Sequence, residues 1–185
     1  MPYIKTYEYE EAADELRSVY DSIIGSRGKL AEVHKIQSLN PTALLAHMDL
    51  YKVVMFGNSP LKRYQREMMA VVVSAANQCR YCVEHHKQAL LFYWKDEEKV
   101  KNLLTSPNAA GLGEADVALC EFAQQITLTP HETSKVVIAN LQALGFDDRA
   151  ILDAVQVIAY FNFVNRFVLS LGVDYSDDEA TGYKY

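Results

Sequence analysis

Two cysteines three residues apart, Cys79 and Cys82, are the side chains in this sequence best suited to chemistry, and His86 follows them closely. They come directly after an apolar run that a helix would bury. Each residue of an α-helix advances by about 100°, so these three side chains are predicted to share one helix face. His85 lies off that face and is expected to be a solvated neighbour. Two thiols able to close a small loop beside an imidazole indicate thiol redox chemistry.

Two other interpretations of the cysteines are inert packing in the core and a zinc site. A structural zinc site usually takes four ligands, in pairs from two segments. Here only Cys120 and the distant His34, His47 and His131 remain to complete such a set, and none of them forms a second paired motif. Cys120 stands among apolar residues and is expected to be buried. A redox pair without a metal is therefore favoured.

Glu67, Cys79, Cys82 and His86 together resemble the Glu-x11-Cys-x-x-Cys-x3-His signature of the AhpD-like alkylhydroperoxidases, within the carboxymuconolactone decarboxylase superfamily. Glu67 alone is as typical of a surface helix as of a site, and the family spacing favours the site. One departure is Tyr81, which stands where some members carry a second histidine. No role of that histidine is transferred, and Tyr81 is either a packing residue or a hydrogen-bond donor to the site.

The resemblance covers residues 40 to 173 approximately, and the last long helix is similar to the peroxidase-related branch of the family. Three polar residues interrupt that otherwise apolar helix, Asn162, Asn165 and Arg166. They are expected either to line the pocket or to satisfy a buried interface. Residues 158–171 are apolar nearly all round, and family members form symmetric oligomers, so a homo-oligomer that buries part of this helix is expected.

The resemblance implies an all-α, AhpD-like multi-helix bundle that reduces small alkyl or hydrogen peroxides without haem, flavin or metal. In the expected cycle the Cys82 thiolate attacks the peroxide, and Cys79 resolves the sulfenic acid to a disulfide. Glu67 and His86 transfer the proton. The family resemblance further implies that an external dithiol, lipoyl-linked or thioredoxin-like, restores the thiols.

The assignment of the attacking thiol depends on which effect is larger. Lowering a thiol pKa gains only a few-fold in rate, because nucleophilicity falls with pKa, whereas positioned proton transfer contributes about 10²–10⁴. His86 is one helical turn from Cys82 and two from Cys79, which favours Cys82. The thioredoxin analogy favours Cys79 instead, but it requires the first cysteine to lie at the open N-terminus of its helix.

Two alternative functions remain: a redox sensor or disulfide-exchange protein, and a non-redox carboxymuconolactone decarboxylase-type enzyme. A sensor uses the same disulfide to switch a partner, without turnover of peroxide. The decarboxylase-type enzyme has no evident use for the Cys79–Cys82 pair, which makes it the less favoured of the two.

Composition restricts the partners and the compartment. Of the 185 residues half are hydrophobic and 23% are charged, and the net charge is −6 with no basic cluster, which argues against nucleic acid and anionic membranes. The N-terminus has no apolar signal region, and no uncharged run is long enough to span a bilayer. Three cysteines do not make a secreted disulfide framework, so a cytoplasmic protein is expected. A single domain over 1–185 is expected, with a core over about 40–173 and a loose acidic tail, 174–185.

Hydrophobic periodicity and capping residues predict helices, and nothing alternates with period two for long, which indicates the all-α class. Residues 25–39 have a mixed pattern that predicts neither a helix nor a strand. Sliding Arg66–Cys82 onto Arg149–Asn165 pairs the two cysteines with two asparagines, which suggests an internal helical repeat. Five predicted helices are 8–24, 41–56, 78–94, 114–127 and 148–171. Three more are predicted from their start signals: one opened by Ser59-Pro60 and ending near Ala76, one capped by Asp96 and ending at Leu104, and one opened by Thr129-Pro130 and ending at Gly145.

Overall fold

The computed structural model describes residues 2–176, 179–180 and 182–183, and it confirms the all-α class, with nine α-helices and no strand within those ranges. Short 3₁₀ turns cover Tyr9–Glu11, Asn108–Ala110 and Pro130–Glu132. The helices are α1 (Asp14–Arg27), α2 (Glu32–Lys35), α3 (Pro41–Phe56), α4 (Arg63–Ala76), α5 (Arg80–Trp94), α6 (Glu97–Thr105), α7 (Glu114–Leu128), α8 (Lys135–Ala143) and α9 (Asp148–Leu171).

Capping residues fix the starts of three helices where the sequence predicted them. The Asn40 side chain accepts a hydrogen bond from the backbone N–H of Ala43 at 3.1 Å, with Pro41 as the first helical residue of α3. Asp147 caps α9 in the same way, accepting from the N–H of Ala150 at 2.7 Å. Asp96 caps α6. These side chains satisfy backbone donors that a helix end leaves free, and the start positions are confirmed.

Three other predicted starts are wrong because turns precede the helices. Helix α1 begins at Asp14, not residue 8, since Tyr9–Glu11 forms a 3₁₀ turn. Helix α4 begins at Arg63, because Ser59 accepts from the N–H of Leu61 in the preceding loop. The predicted helix opened by Thr129-Pro130 is a 3₁₀ turn there, and α8 starts only at Lys135. Helix α1 also continues to Arg27 and ends at Gly28.

Helix α4 lies at the centre of the fold and packs against α5, α7 and α9. Met68, Met69 and Val73 on α4 are fully buried, and Ile158 and Phe161 meet the same core from α9. Burial of so many apolar side chains holds the cysteine helix α5 against a rigid support. A second apolar cluster joins α1 to α3.

Helix α9 combines a buried face with apolar residues on its surface. Phe163 and Leu169 are 44% and 47% exposed, whereas Val157 and Ile158 are fully buried. Within the described part of the chain, α9 is the one helix long and apolar enough to cross a membrane, and the same composition fits a core helix. A second copy of the chain covering its exposed apolar side chains stays a prediction.

The predictions of an internal helical repeat and of a loose acidic tail are both wrong in part. Residues 66–82 pass from α4 through a turn into α5, whereas residues 149–165 form one unbroken helix, so the paired segments differ in backbone. In the tail, Glu179 and Ala180 are 6% and 1% exposed, because they pack back onto the helices. Residues 177–178, 181 and 184–185 lie outside the described residues.

Candidate active site

The cysteine helix begins at Arg80, and Cys79 is its N-cap residue with non-helical dihedrals, φ −88° and ψ 86°. The prediction of one helix face shared by Cys79, Cys82 and His86 is therefore wrong for Cys79. A tight turn after α4 causes the break. Gln78 takes a positive φ of 57°, and the Cys79 N–H bonds back to the carbonyl of Ser74 at 2.9 Å. Cys79 thus sits where the thioredoxin analogy requires its first cysteine, at the open N-terminus of a helix.

The two sulfurs are free thiols 3.0 Å apart, close enough to share a hydrogen bond and to form a disulfide after a small movement. The hydrogen bond with Cys82 lowers the pKa of Cys79, outweighing the opposite effect of burial. Burial raises the pKa of Cys82 well above its ordinary value, and the hydrogen bond to Cys79 adds to that. Because the pair shares a proton, its first deprotonation belongs to both thiols.

Access to the two sulfurs differs. Cys82 lines a cavity of about 80 Å³ between α1, α3, α5 and α9, whereas Cys79 is fully buried and does not line it. Such a volume holds a few water molecules or a small organic molecule. The remaining lining residues are Arg27, Ala31, Val33, His34, His47, Met48, Tyr51, Tyr81, His85, His86, Ala89, Tyr160, Phe161, Val164 and Tyr183.

Glu67 and His86 form an ion-pair geometry beside the thiols. The Oε2 atom of Glu67 is 2.6 Å from Nδ1 of His86, and its other oxygen, Oε1, is 2.6 Å from Nη1 of Arg63. Burial opposes ionisation of Glu67, which is 1% exposed, but His86 and then Arg63 outweigh it and lower the pKa of the carboxyl. The carboxylate is therefore an anion at neutral pH.

The orientation of His86 is fixed from two sides. Because Nδ1 faces the carboxylate it carries a proton, and Nε2 remains as the basic nitrogen of the neutral ring. The edge of Phe161 meets the His86 ring, with centroids 4.4 Å apart and planes at 79°. His86 also lines the cavity one helical turn beyond Cys82. The arrangement can take a proton from a thiol at the cavity wall and return it.

The asparagines of α9 lie in a polar cluster and do not line the cavity. The side-chain amide of Asn77 donates to Asn162 at 3.0 Å and to Asn165 at 2.9 Å, and Asn165 donates to Ser74 at 3.2 Å. This cluster ties α9 to the turn that precedes Cys79. Asn165 also hydrogen-bonds Cys82, which lowers the thiol pKa against the effect of burial. Of the two expectations for these asparagines, the second is correct: they satisfy a buried interface, which lies between α9 and the turn before Cys79 in the same chain. The third residue, Arg166, is exposed and bonds Asn162.

The expectation of a solvated His85 is wrong. Its ring packs against that of Tyr81 with centroids 4.4 Å apart and planes tilted by 33°, and its Nε2 lies 3.7 Å from Oε1 of Glu179. Burial lowers the pKa of His85 to about 3. Tyr81 is a hydrogen-bond donor, because its hydroxyl lies 2.6 Å from the same Glu179 oxygen. Glu179 also accepts from the N–H of Glu32 at 2.7 Å, so this residue of the C-terminal part connects α2 with α5.

The side chains of the described residues include no group of three or more His, Cys, Asp or Glu arranged to hold a metal ion. Cys120 is fully buried, as predicted, and burial raises the pKa of its thiol to about 12.

Sequence reasoning missed three residues at or next to the site. Arg63 precedes Glu67 by one helical turn, and this i, i+4 pair of opposite charges was a readable signal. His47 and Tyr160 lie 113 residues apart and meet at 2.7 Å on the cavity wall. Neither belongs to a local motif, so no sequence signal could pair them.

Comparisons with known proteins give a family-model match and a shared fold. The carboxymuconolactone decarboxylase family model matches residues 41–125, which include all four residues of the signature. A peroxidase-related protein from Silicibacter sp. TM1040 is 28% identical with a TM-score of 0.83, covering 91% of this chain and 88% of the other.

Two further solved structures share the fold. An alkylhydroperoxidase AhpD core, a peroxidase-related protein from Ralstonia eutropha JMP134, has a TM-score of 0.87 at 24% identity, covering 97% and 94% of the two chains. The debrominase Bmp8, solved in complex with 2,3,4-tribromopyrrole, has a TM-score of 0.78 at 19% identity, covering 97% of each chain. The carboxymuconolactone decarboxylase family model thus matches the part of the chain that carries the signature, and the fold of the chain is that of the AhpD-like, peroxidase-related proteins.

Proposed function

We propose that this protein is a thiol peroxidase that reduces small hydroperoxides with the Cys79–Cys82 pair. One observation carries the proposal. Cys82 lines a small cavity, a second thiol lies 3.0 Å away, and His86, paired with Glu67 of α4, follows Cys82 by one helical turn. A nucleophile, a resolving thiol and a proton acceptor are thus present together. Their roles follow from this placement and from the chemistry of peroxides.

In the first step His86 takes a proton from the thiol pair, and Glu67 stabilises the imidazolium that forms. The Cys82 sulfur then attacks the terminal oxygen of the hydroperoxide. An S–O bond forms and the O–O bond breaks, so that sulfur loses two electrons and the departing oxygen gains them. That oxygen takes the proton back from His86 and leaves as alcohol or water. The protein is left with a sulfenic acid on Cys82.

The second step closes the disulfide. The Cys79 thiol attacks the Cys82 sulfenic acid, an S–S bond forms, and the hydroxyl leaves as water. An external dithiol then reduces the disulfide and is itself oxidised to a disulfide, which completes the cycle. We propose a lipoyl-linked or thioredoxin-like dithiol as this partner, and a narrow cavity favours the slender lipoyl arm.

The assignment of attack to Cys82 weighs access against pKa. Cys79 has the lower pKa and the helix N-terminus, which support the thioredoxin analogy. Because the sulfurs are 3.0 Å apart, however, the remaining proton of the singly ionised pair can move to Cys79 and leave the charge on Cys82. Only Cys82 meets the cavity where a peroxide can bind. We therefore assign the attack to Cys82 on the basis of its access to the cavity, since a thiolate that cannot touch the substrate cannot react with it.

The test is peroxide consumption with lipoyl and thioredoxin-type reductants, on the wild type and on Cys82→Ser. We expect turnover by the wild type and none by Cys82→Ser, with Cys120→Ala as a control that loses a buried thiol outside the cavity. Dimedone labelling then assigns the attack: Cys79→Ser should form one trappable sulfenate, on Cys82. Label on Cys79 in Cys82→Ser, and none on Cys82 in Cys79→Ser, would reverse the assignment.

A second candidate uses the same thiols to remove a halogen from a small aromatic ring. Aromatic side chains wall the cavity, among them Tyr51, Tyr160 and Phe161, and a debrominase shares the fold. An assay arm with a brominated pyrrole and the same dithiol therefore belongs in the experiment. Bromide release without peroxide consumption would favour this candidate. Oxidation of the pair without turnover of either substrate would favour a redox sensor, and lactone decarboxylation that survives loss of both cysteines would favour the non-redox enzyme.

A further inference from the structure

A chain of three neutral side chains, Gln37, His47 and Tyr160, reaches the cavity from helices other than the one that carries Cys82 and His86. The Nδ1 atom of His47 lies 2.8 Å from Nε2 of Gln37 and 3.1 Å from its Oε1, and Nε2 of His47 lies 2.7 Å from the hydroxyl of Tyr160. All three are buried, with exposures of 9%, 6% and 6%. Nothing in the signature residues accounts for this chain.

The contacts indicate which way the hydrogen bonds run. The amide of Gln37 donates from Nε2 to the carbonyl of Val33 at 2.8 Å, which identifies that atom as nitrogen. Its second hydrogen faces Nδ1 of His47, the shorter of the two contacts with that ring. Nδ1 is then an acceptor, so the ring proton is on Nε2 and is donated to the oxygen of Tyr160. The phenolic hydrogen of Tyr160 is left for the cavity.

The surroundings of Tyr160 keep it a donor. Burial raises the pKa of the phenol well above its ordinary value, and Tyr51 and then Cys82 raise it further, against the opposite effect of Arg27. Burial lowers the pKa of His47 to about 4, so the imidazole stays neutral at pH 7. The chain therefore presents an uncharged O–H to the cavity that holds Cys82.

The two sides of the cavity suit two different parts of the reaction. His86 is on the same helix as Cys82 and one turn away, a position suited to accepting the thiol proton. An attacking sulfur and a departing oxygen lie in line on opposite sides of the oxygen that is transferred. His86 shares a helix with the attacking sulfur, so a hydrogen-bond donor on another helix can stabilise the departing oxygen from a different direction, and Tyr160 comes from α9.

We propose that Tyr160, oriented by His47 and Gln37, donates a hydrogen bond to the departing oxygen of the hydroperoxide while the Cys82–oxygen bond forms. This inference rests on the proposed peroxidase function and names a substrate-contacting residue for it. The electron pair of the broken O–O bond goes to the departing oxygen, whose growing negative charge Tyr160 stabilises. The proton that completes the alcohol comes from His86, and Tyr160 keeps its own.

The experiment compares two oxidants on Tyr160→Phe, because only one of them needs help with its leaving group. The alkoxide released by tert-butyl hydroperoxide is a strong base, whereas the acetate released by peracetic acid is a weak one. Loss of the donor should slow oxidation of the thiol pair by tert-butyl hydroperoxide about 10- to 100-fold. Oxidation by peracetic acid should change less than about three-fold. Stopped-flow loss of titratable thiols measures both rates.

Tyr64→Phe is the matched control. It removes a phenolic hydroxyl that bonds Asp116 at 2.9 Å and does not line the cavity, so both rates should stay at the wild-type values. A second variant, His47→Gln, removes the ring that orients Tyr160 and should show a smaller selective loss with tert-butyl hydroperoxide. It also keeps the test open where Tyr160→Phe fails to fold.

The outcomes separate this inference from the proposed function. Equal losses with both oxidants, or no loss with either, would overturn the role of Tyr160 while leaving the peroxidase intact. A wild type that reacts with neither oxidant would overturn the proposed function, and this inference with it. A selective loss in Tyr160→Phe supports both.

Discussion

Of the four imidazoles that line the cavity, His47 and His86 differ chemically because their partners differ. Nδ1 of His86 faces the buried carboxylate of Glu67 at 2.6 Å, and Arg63 completes a charged group. Among the described residues, the hydrogen-bond partners of His47 are the amide of Gln37 and the phenol of Tyr160. The first arrangement stabilises a positive charge on its ring, and the second does not.

The difference shows that burial alone does not decide what a histidine does here. Burial lowers the pKa of His47 to about 4, and no anion in the part of the chain that the structure describes offsets that effect. The same burial at Glu67 is outweighed by His86 and Arg63, which lower the pKa of the carboxyl instead. One side of the cavity is therefore built to exchange a proton, and the other to hold one in place.

The largest effect is expected from Glu67→Gln, which makes the partner of His86 neutral like that of His47. The imidazolium loses its counter-charge, so sulfenate formation on Cys82 should slow by about 10²–10⁴. Arg63 also loses its partner in a buried position, which should lower the free energy of unfolding by about 3–5 kcal/mol. Stopped-flow oxidation and urea denaturation measure the two effects.

Adding Arg63→Met to Glu67→Gln separates stability from rate. Removing both buried charges should restore most of the free energy of unfolding, since neither group then lacks a partner. The slow oxidation should remain. If the double variant recovers the rate as well, the carboxylate acts only through stability, and its role in proton transfer is wrong.

The next effect concerns pH, where the neutral imidazoles should dominate. Burial lowers the pKa of His34 and His85 to about 3 and that of His47 to about 4. Their folded pKa values lie below the unfolded value of about 6.5, so the unfolded chain binds more protons as the pH falls. The stabilisation is complete above pH ~6.5 and is lost towards pH ~4. Each imidazole should cost roughly 1.4 kcal/mol per pH unit in that window.

Urea denaturation from pH 7 to pH 5 measures this loss, and His47→Gln should reduce the slope. His131→Gln is the control, because the side chain of His131 is 78% exposed and should have no influence. The stabilisation that comes from the lowered pKa of Glu67 is complete above the ordinary value of 4.5. It is lost only as the pH falls from that value through the folded pKa, so Glu67 adds no pH dependence between pH 7 and pH 5. A free energy of unfolding that stays constant from pH 7 to pH 5 would contradict the neutral, buried state of these rings.

The smallest effect is expected from Phe161→Leu, which removes the ring edge that holds His86. Such aromatic contacts contribute about 0.5–1.5 kcal/mol, so the oxidation rate should fall about two- to ten-fold. Phe122→Leu is the control, because Phe122 is equally buried on α7 and does not line the cavity. Both variants should lose similar stability, about 1 kcal/mol, and only Phe161→Leu should slow oxidation. Equal rates in the two would remove Phe161 from the positioning of His86.

Much of the fold could be predicted because its signals are local. The caps Asn40 and Asp147 fix helix starts within a few residues of chain, and the sequence carries them openly. The start of α5 could not be predicted, because the positive φ of the turn falls on Gln78 and not on a glycine that would mark it. That single turn moved Cys79 off the predicted face.

The same distinction applies to the site. Cys79, Cys82 and His86 lie within eight residues, and their proximity was readable. The pairing of His47 with Tyr160 depends on α3 meeting α9, which only the tertiary fold decides. Glu179 was expected in a loose tail because acidic residues there lack apolar periodicity. Its contacts with Tyr81 and Glu32 outweigh that tendency.

The reactive side chains of the cavity and part of its walls come from different parts of the chain. Residues 41–125, which match the family, supply Glu67 and both cysteines, whereas Arg27, Tyr160 and Tyr183 form walls from outside that segment. Substitutions in the flanking parts can therefore reshape the cavity without disturbing the thiols or their proton acceptor. Relatives that share the central segment are free to diverge in what they accept, so the substrate of one member is a poor guide to that of another.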